Sequence, residues 1–123
     1  MAVTHSIDRE ARTAFLHYER NPRYDEWEAA MKSLLDDPAY EPGFHIFLDR
    51  SKVEEAPDSD YVRKVISFIR HHGPQFPRSR WVAVVRNKAN YGMERMAQLL
   101  SNGTNVEMSV FTDKSEAEKW LRS

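Results

Sequence analysis

Side chains able to do chemistry are plentiful in this chain but poorly grouped. Histidines stand at 5, 17, 45, 71 and 72. None has the His-Glu-x-x-His spacing of a zinc helix, and a metal or acid–base role needs a third partner the sequence does not supply. No metal and no cofactor are expected. His17 and His45 fall in strand-like segments and would face each other if those strands pair. His71-His72 closes a helical segment, where a cationic imidazole is favourable against the helix dipole. Glu54-Glu55 and Asp58-Ser59-Asp60 form an acidic stretch. Paired carboxylates can do general acid–base work, but negative charge at a helix start explains them more simply. There is no Gly-x-Ser-x-Gly elbow, no Walker loop and no Gly-x-Gly-x-x-Gly, so hydrolase, nucleotide and dinucleotide readings lose their main support. The chain has no cysteine, which excludes disulfides, thiolate metal sites and cysteine nucleophiles. The expectation is a protein that is not an enzyme.

Three polar loops are better candidates for binding than for catalysis. They are Asp49-Arg50-Ser51, Arg86 to Gly92 with Asn87, Tyr91 and Gly92, and Thr112-Asp113. Each follows a strand-like run, and ligands of open parallel sheets bind beyond the carboxyl ends of the strands. Helix-start N–H groups and the cations there would suit an anionic or polar head group. The plainer reading makes Asp49 and Asp113 caps, and Arg50, Arg86 and Lys88 solvated charges. Gly92 early in a helix costs about 1 kcal/mol relative to alanine. That cost points to a close approach by a backbone, a side chain or a ligand, with helix packing on the sheet the simplest cause. Tyr91 beside it offers a ring and a hydroxyl. Trp27, Met31, Met93 and Met96 fit helix core positions. Methionine-rich faces also line adaptable apolar slots, so these four would line one if two helices splayed from the sheet.

The elements that position these residues follow from periodicity and punctuation. Val3–Asp8 and Thr13–Glu19 alternate in polarity and read as a strand hairpin turning at residues 9–12. Tyr24, Trp27, Met31, Leu34 and Leu35 form one helical stripe, ended by Asp37-Pro38. Phe44–Asp49 and Trp81–Val85 are short apolar runs and read as buried strands. Between them Val62, Val65, Ile66 and Ile69 make a second helix, capped by Ser59 and closed by Gly73-Pro74. Met93, Met96, Ala97 and Leu100 mark a third, ending at Asn102-Gly103, where glycine suits the left-handed position. Val106–Phe111 alternates as a strand. A last helix starts at Lys114, with Asp113 and Glu116 in a capping arrangement. The order β-β-α-β-α-β-α-β-α predicts an α/β fold with a small, mixed, mostly parallel sheet flanked by helices.

The 123 residues amount to one domain, 1–123. At 14.4 kDa a compact fold exposes roughly 6,800 Å². No apolar run reaches the ~18 residues of a membrane helix, and no basic-then-apolar leader opens the chain. The expectation is a cytoplasmic protein without stable membrane insertion. Net charge is −1, so no general attraction to nucleic acid or anionic membrane is expected. Arg78, Arg80 and Arg86 bracket a strand without interleaved aromatics, and no nucleic-acid partner is expected. The hairpin leaves an open edge strand that a second copy would cover as a homodimer.

An ordered set of segments resembles the SpoIIAA-like family of the STAS / CRAL-TRIO-like group. It comprises Leu35 to Gly43 before Phe44–Asp49, Trp81 to Arg86, Ala89 to Met96, Val106–Phe111, and Asp113 through Glu116-Ala117 to Trp120-Leu121. The likeness spans residues 13 to 122 and implies a small mixed sheet flanked by helices. In the anti-sigma-factor antagonists of this group an Asp-Ser-Ser-Gly loop carries a phosphorylated serine. Here that position reads Asp49-Arg50-Ser51-Lys52. Ser51 is the phosphorylation candidate, and the missing glycine alters how the backbone presents it. The resemblance implies a non-enzymatic regulatory or interaction module presenting its strand-end loops to a protein partner. CRAL-TRIO-like relatives bind lipids, which implies the alternative, a carrier or sensor of a small apolar or lipid-like ligand between helices and sheet.

Overall fold

The computed structural model describes residues 2–123. In chain order it forms β1 (Val3–Asp8), β2 (Thr13–Tyr18), α1 (Tyr24–Asp36), β3 (His45–Arg50), α2 (Ser59–His71), β4 (Arg80–Val85), α3 (Lys88–Leu100), β5 (Glu107–Phe111) and α4 (Lys114–Arg122). A 3-10 turn at Gly73–Gln75 joins α2 to β4. The five strands make one sheet in the order β1-β2-β3-β4-β5. β1 is antiparallel to β2, and β2 to β5 are parallel. The expected element order and mixed sheet are therefore present. The folded surface is 6850 Å², close to the area a compact chain of this mass exposes.

Every crossover from β2 onward steps to the next strand in the same direction. Residues of α1, α2 and α3 accordingly share one core with the sheet positions Ala14, Leu16, Ile46, Leu48, Trp81, Ala83 and Val85. α4 lies on the other face, where Ala117 and Leu121 pack on Phe47, Val82 and Val84. Alternate residues of each strand serve the two cores, as period-two geometry requires. Because β2 to β5 never reverse direction, their sheet lacks the divergence of neighbouring crossovers that opens a ligand crevice in doubly wound folds.

Local chemistry explains the boundaries. Asp58, rather than Ser59, caps α2: its carboxylate accepts from the Tyr61 backbone N–H at 2.8 Å. Asp113 caps α4 as expected, accepting from the backbone N–H groups of Ser115 and Glu116 at 2.7 and 3.3 Å. Gly103 takes the left-handed conformation after α3. The β1–β2 turn has no glycine, and Arg12 itself adopts φ 53°. β3 begins and ends one residue later than the apolar run suggests, which places Arg50 on the strand rather than in the loop. His17 and His45 do not face each other. The parallel register sets His45 opposite Thr13 and His17 opposite Asp49, because β2 and β3 align at their starts rather than at their histidines.

Candidate functional site

The rim at the carboxyl ends of β3, β4 and β5 gathers the loops around residues 50, 87 and 113, and α3 and α4 begin there. Two asparagines tie this rim together. Asn87 caps α3, accepting from the Asn90 backbone N–H at 3.0 Å, and donates to the Glu54 carbonyl at 2.8 Å. Asn90 is buried. Its amide donates to the Val53 and Glu54 carbonyls at 3.3 and 3.1 Å, fixing the loop between β3 and α2 against the start of α3.

Arg50 is the centre of this rim and is not a solvated charge. It continues the inward alternation of Ile46 and Leu48 and is only 1% exposed. Its guanidinium donates to the side-chain oxygens of Asn21 and Asn90 and lies 4.8 Å from the Tyr18 ring centroid. Its Nε is 3.7 Å from a Glu94 carboxylate oxygen, and the Glu94 side chain is 16% exposed. Burial pushes the Glu94 carboxyl above its ordinary range, and the Arg50 charge pulls it back. Tyr18 accepts from the Trp27 indole at 3.0 Å. Burial pushes the Tyr18 hydroxyl up to about 12, opposed by Arg50.

Beside this pair, between α2, α3 and the sheet, lies a cavity of about 30 Å³. Arg50, Glu94, Tyr18, Trp27, Tyr61 and Trp81 supply its polar atoms, and Leu48, Val62, Val65, Ala97 and Met108 its apolar walls. Three of those polar atoms are buried without a hydrogen-bond partner: Arg50 Nε, the Tyr61 hydroxyl and the Trp81 indole N–H. A buried polar group left unpaired costs about 1–3 kcal/mol, so these three atoms call for a polar guest, of which a single water is the smallest. The volume suffices for a water or a small polar group.

The remaining candidates are placed as follows. Asp49 accepts from the Ser51 backbone and hydroxyl at 3.1 and 2.6 Å, and Ser51 is exposed. Tyr91 is 39% exposed. Gly92 is exposed, and no atom lies within 4 Å of where its Cβ would stand. Neither helix packing nor a close contact within the chain requires that glycine. Of the four slot residues, Trp27 lines the cavity. Met31 is buried among other core residues, and Met93 and Met96 pack half-buried against the core. Asp113 belongs to the same rim but starts α4, on the opposite face from the cavity. Glu94, Tyr18, Tyr61 and Trp81 were not legible as site residues from their types. The one available signal was helical spacing, since Asn90, Glu94 and Ala97 share a stripe. Among the described residues no group of three or more His, Asp or Glu side chains is placed to hold a metal ion, and no helix is long and apolar enough to cross a membrane.

A five-stranded mixed sheet with four helices in this order is a SpoIIAA-like fold. The chain is similar to the crystal structure of an uncharacterised DUF3478-family protein with a SpoIIAA-like fold from Shewanella loihica PV-4, with a TM-score of 0.62 over 98% of this chain and 92% of that one, at 16% sequence identity. At that identity the likeness defines the fold. No family model matches the sequence, and no curated protein matches it.

Proposed function

We propose that this protein is a non-enzymatic carrier or sensor of a small apolar or amphipathic ligand, held between α2, α3 and the sheet. The observation that carries this reading is a hollow lined both by polar side chains, three of them with a buried unpartnered atom, and by aliphatic ones. Such a mixed lining, few polar groups against an apolar body, is the usual chemistry of a small-molecule site. The hollow holds a head group, and a longer ligand requires α2 and α3 to part around it. Native mass spectrometry of protein purified from its own cells tests this. A bound organic molecule released on denaturation is expected. A mass equal to the bare chain, with no thermal shift from a lipid extract, refutes it.

A second reading is a module that docks a protein partner at the rim. Tyr91, 39% exposed in the first turn of α3, favours it, and Leu99, 65% exposed in the last turn, would carry the contact along the helix away from the rim. Arg50 is buried and takes no part in such contact. The test is a crosslinked partner lost with both Tyr91→Asp and Leu99→Asp while stability stays unchanged. Retention by both variants refutes the docking face. The open edge of β1 also suits pairing with a second copy, and light scattering at one subunit's mass refutes that.

A further inference from the structure

β1 forms one edge of the sheet, and its register fixes which backbone groups that edge leaves open. The Glu19 backbone N–H donates to the Ala2 carbonyl at 2.9 Å, so Ala2 and Glu19 are a hydrogen-bonded pair. Antiparallel ladders alternate such pairs with unbonded ones. In the register that runs from Val3↔Tyr18 to Asp8↔Thr13, Thr4, Ser6 and Asp8 therefore bond to β2. The N–H and C=O groups of Val3, His5 and Ile7 point away from the sheet. Edges left to water usually carry lysine, proline or a bulge. β1 has none of these: it reads Val-Thr-His-Ser-Ile-Asp and pairs with β2 without interruption. Beside it, on the helix face, runs a groove of about 520 Å³ whose walls include Val3, His5, Ala29, Ala30 and Ser33.

The sequence of β1 points to its own copy as the occupant. Read from either end, Val3 to Ile7 presents the same chemistry: β-branched apolar, hydroxyl, histidine, hydroxyl, β-branched apolar. An antiparallel copy uses every outward group of Val3, His5 and Ile7 only when His5 stands opposite itself. Val3 then faces the second copy's Ile7 on the helix face, where both already pack on the core, and Thr4 faces its Ser6 on the other face. Between Val3 and Ile7 only His5 can carry charge, and its Nε2 lies 3.0 Å from the Asp37 carboxylate of its own chain, so a protonated imidazole brings its counter-charge to the axis. An unrelated strand would leave that symmetry unused. We propose that two copies of this chain join their sheets edge to edge through β1, antiparallel about a twofold axis at His5, each copy's Ile7 side chain entering the groove between β1 and α1 of the other. This specifies the second-copy reading of β1 given above and rests on it.

Light scattering across a concentration series reads the mass, and cysteine pairing reads the register. The chain has no cysteine, and Thr4 and Ser6 are exposed, so Thr4→Cys and Ser6→Cys leave the core untouched. Opposite residues of an unbonded pair stand about 4.5 Å apart between Cα atoms, within disulfide reach. Cysteines at the same position in the two copies are diagonal, about 7–8 Å apart. A mixture of the two variants is therefore expected to form the mixed disulfide, and each variant alone to stay reduced. His5→Pro removes an N–H that β2 does not use, whereas His5→Ala keeps it. Proline is expected to weaken the dimer at least about tenfold relative to alanine, with similar urea midpoints for the two monomers. A dimer in which Thr4→Cys crosslinks to itself, or in which the mixture stays reduced, overturns the axis at His5 and leaves the second-copy reading standing. So does a His5→Pro dimer as tight as that of His5→Ala. A single subunit's mass at every concentration overturns both, and leaves an extended segment of another protein as the occupant of the edge.

Discussion

The Arg50–Glu94 pair sets a stability relation that a double-mutant cycle measures directly. The perturbations are Arg50→Met, Glu94→Gln and the two combined, with urea unfolding at pH 8. At 3.7 Å and an effective dielectric constant of about 20, the attraction is roughly 4.5 kcal/mol. Glu94 keeps some contact with water, which lowers the expected coupling to about 2–3 kcal/mol. Arg50→Met also loses two charge-assisted bonds to Asn21 and Asn90, each worth about 1.5–3 kcal/mol, partly offset by the apolar stem that replaces it. A net loss of about 3–5 kcal/mol follows, tolerable for a domain of ordinary stability. Glu94→Gln leaves a buried guanidinium that cannot shed its proton, and costs about 3 kcal/mol. The double variant is then less damaged than the sum of the singles by the coupling. Additivity within about 0.5 kcal/mol refutes the ion pair. The pH dependence carries its own sign. Burial raises the folded Glu94 carboxyl above its ordinary 4.5, so the unfolded chain releases that proton first. Its contribution is complete below 4.5 and is lost as pH rises through the raised folded value. Glu94→Gln is expected to remove that part of the slope.

Two glycines respond oppositely to alanine. Gly92→Ala, inside α3 with open space around it, is expected to stabilise by about 0.5–1 kcal/mol, and any loss in urea midpoint contradicts this. Gly43→Ala is expected to destabilise by at least about 1 kcal/mol, because φ is +92° and the new Cβ would meet the Pro77 carbonyl oxygen at 3.3 Å; an unchanged midpoint would show that the turn relaxes. Ser79, buried, donates to the Phe44 carbonyl at 2.7 Å, so Ser79→Ala is expected to cost about 1–2 kcal/mol, and a neutral result breaks that link. His45 is held below its ordinary 6.5 by burial, then by Arg80 and Arg12. The stability it contributes is present above 6.5 and is lost as pH falls through the lowered folded value. Its NMR titration midpoint is expected below 6.5, and one above refutes the assignment.

Elements governed by strong local rules are legible in the sequence. α1 begins at Tyr24 and ends at Asp36 because its stripe and Asp37-Pro38 leave no alternative, and Asp113 announces itself three residues before Glu116. β4 was plain from its β-branched run. The centre of the site was not, for a different reason. Arginine and glutamate are ordinarily solvated, so residue type put Arg50 outside, although alternation with Ile46 and Leu48 puts it inside. Period outweighed polarity because two distant segments supply partners, the β2–α1 loop with Asn21 and α3 with Asn90 and Glu94. The unpaired atoms of Tyr61 and Trp81 have no sequence signature at all, since a missing partner is a property of packing. Gly92 shows the converse error: a residue costly to its helix need not answer to any neighbour.

In this sheet, order in space repeats order in the chain. Each strand from β3 onward is laid against the one made just before it, one helix intervening, so a growing chain always finds its template already built. Each parallel pairing still has to close a full helical crossover first, which makes it slow to form beside the β1–β2 hairpin. The last strand to arrive, β5, adds itself to an edge that β4 has already prepared. The hollow around Arg50 closes only at that last step, when β5 brings Met108 to walls already raised by β3, β4, α2 and α3.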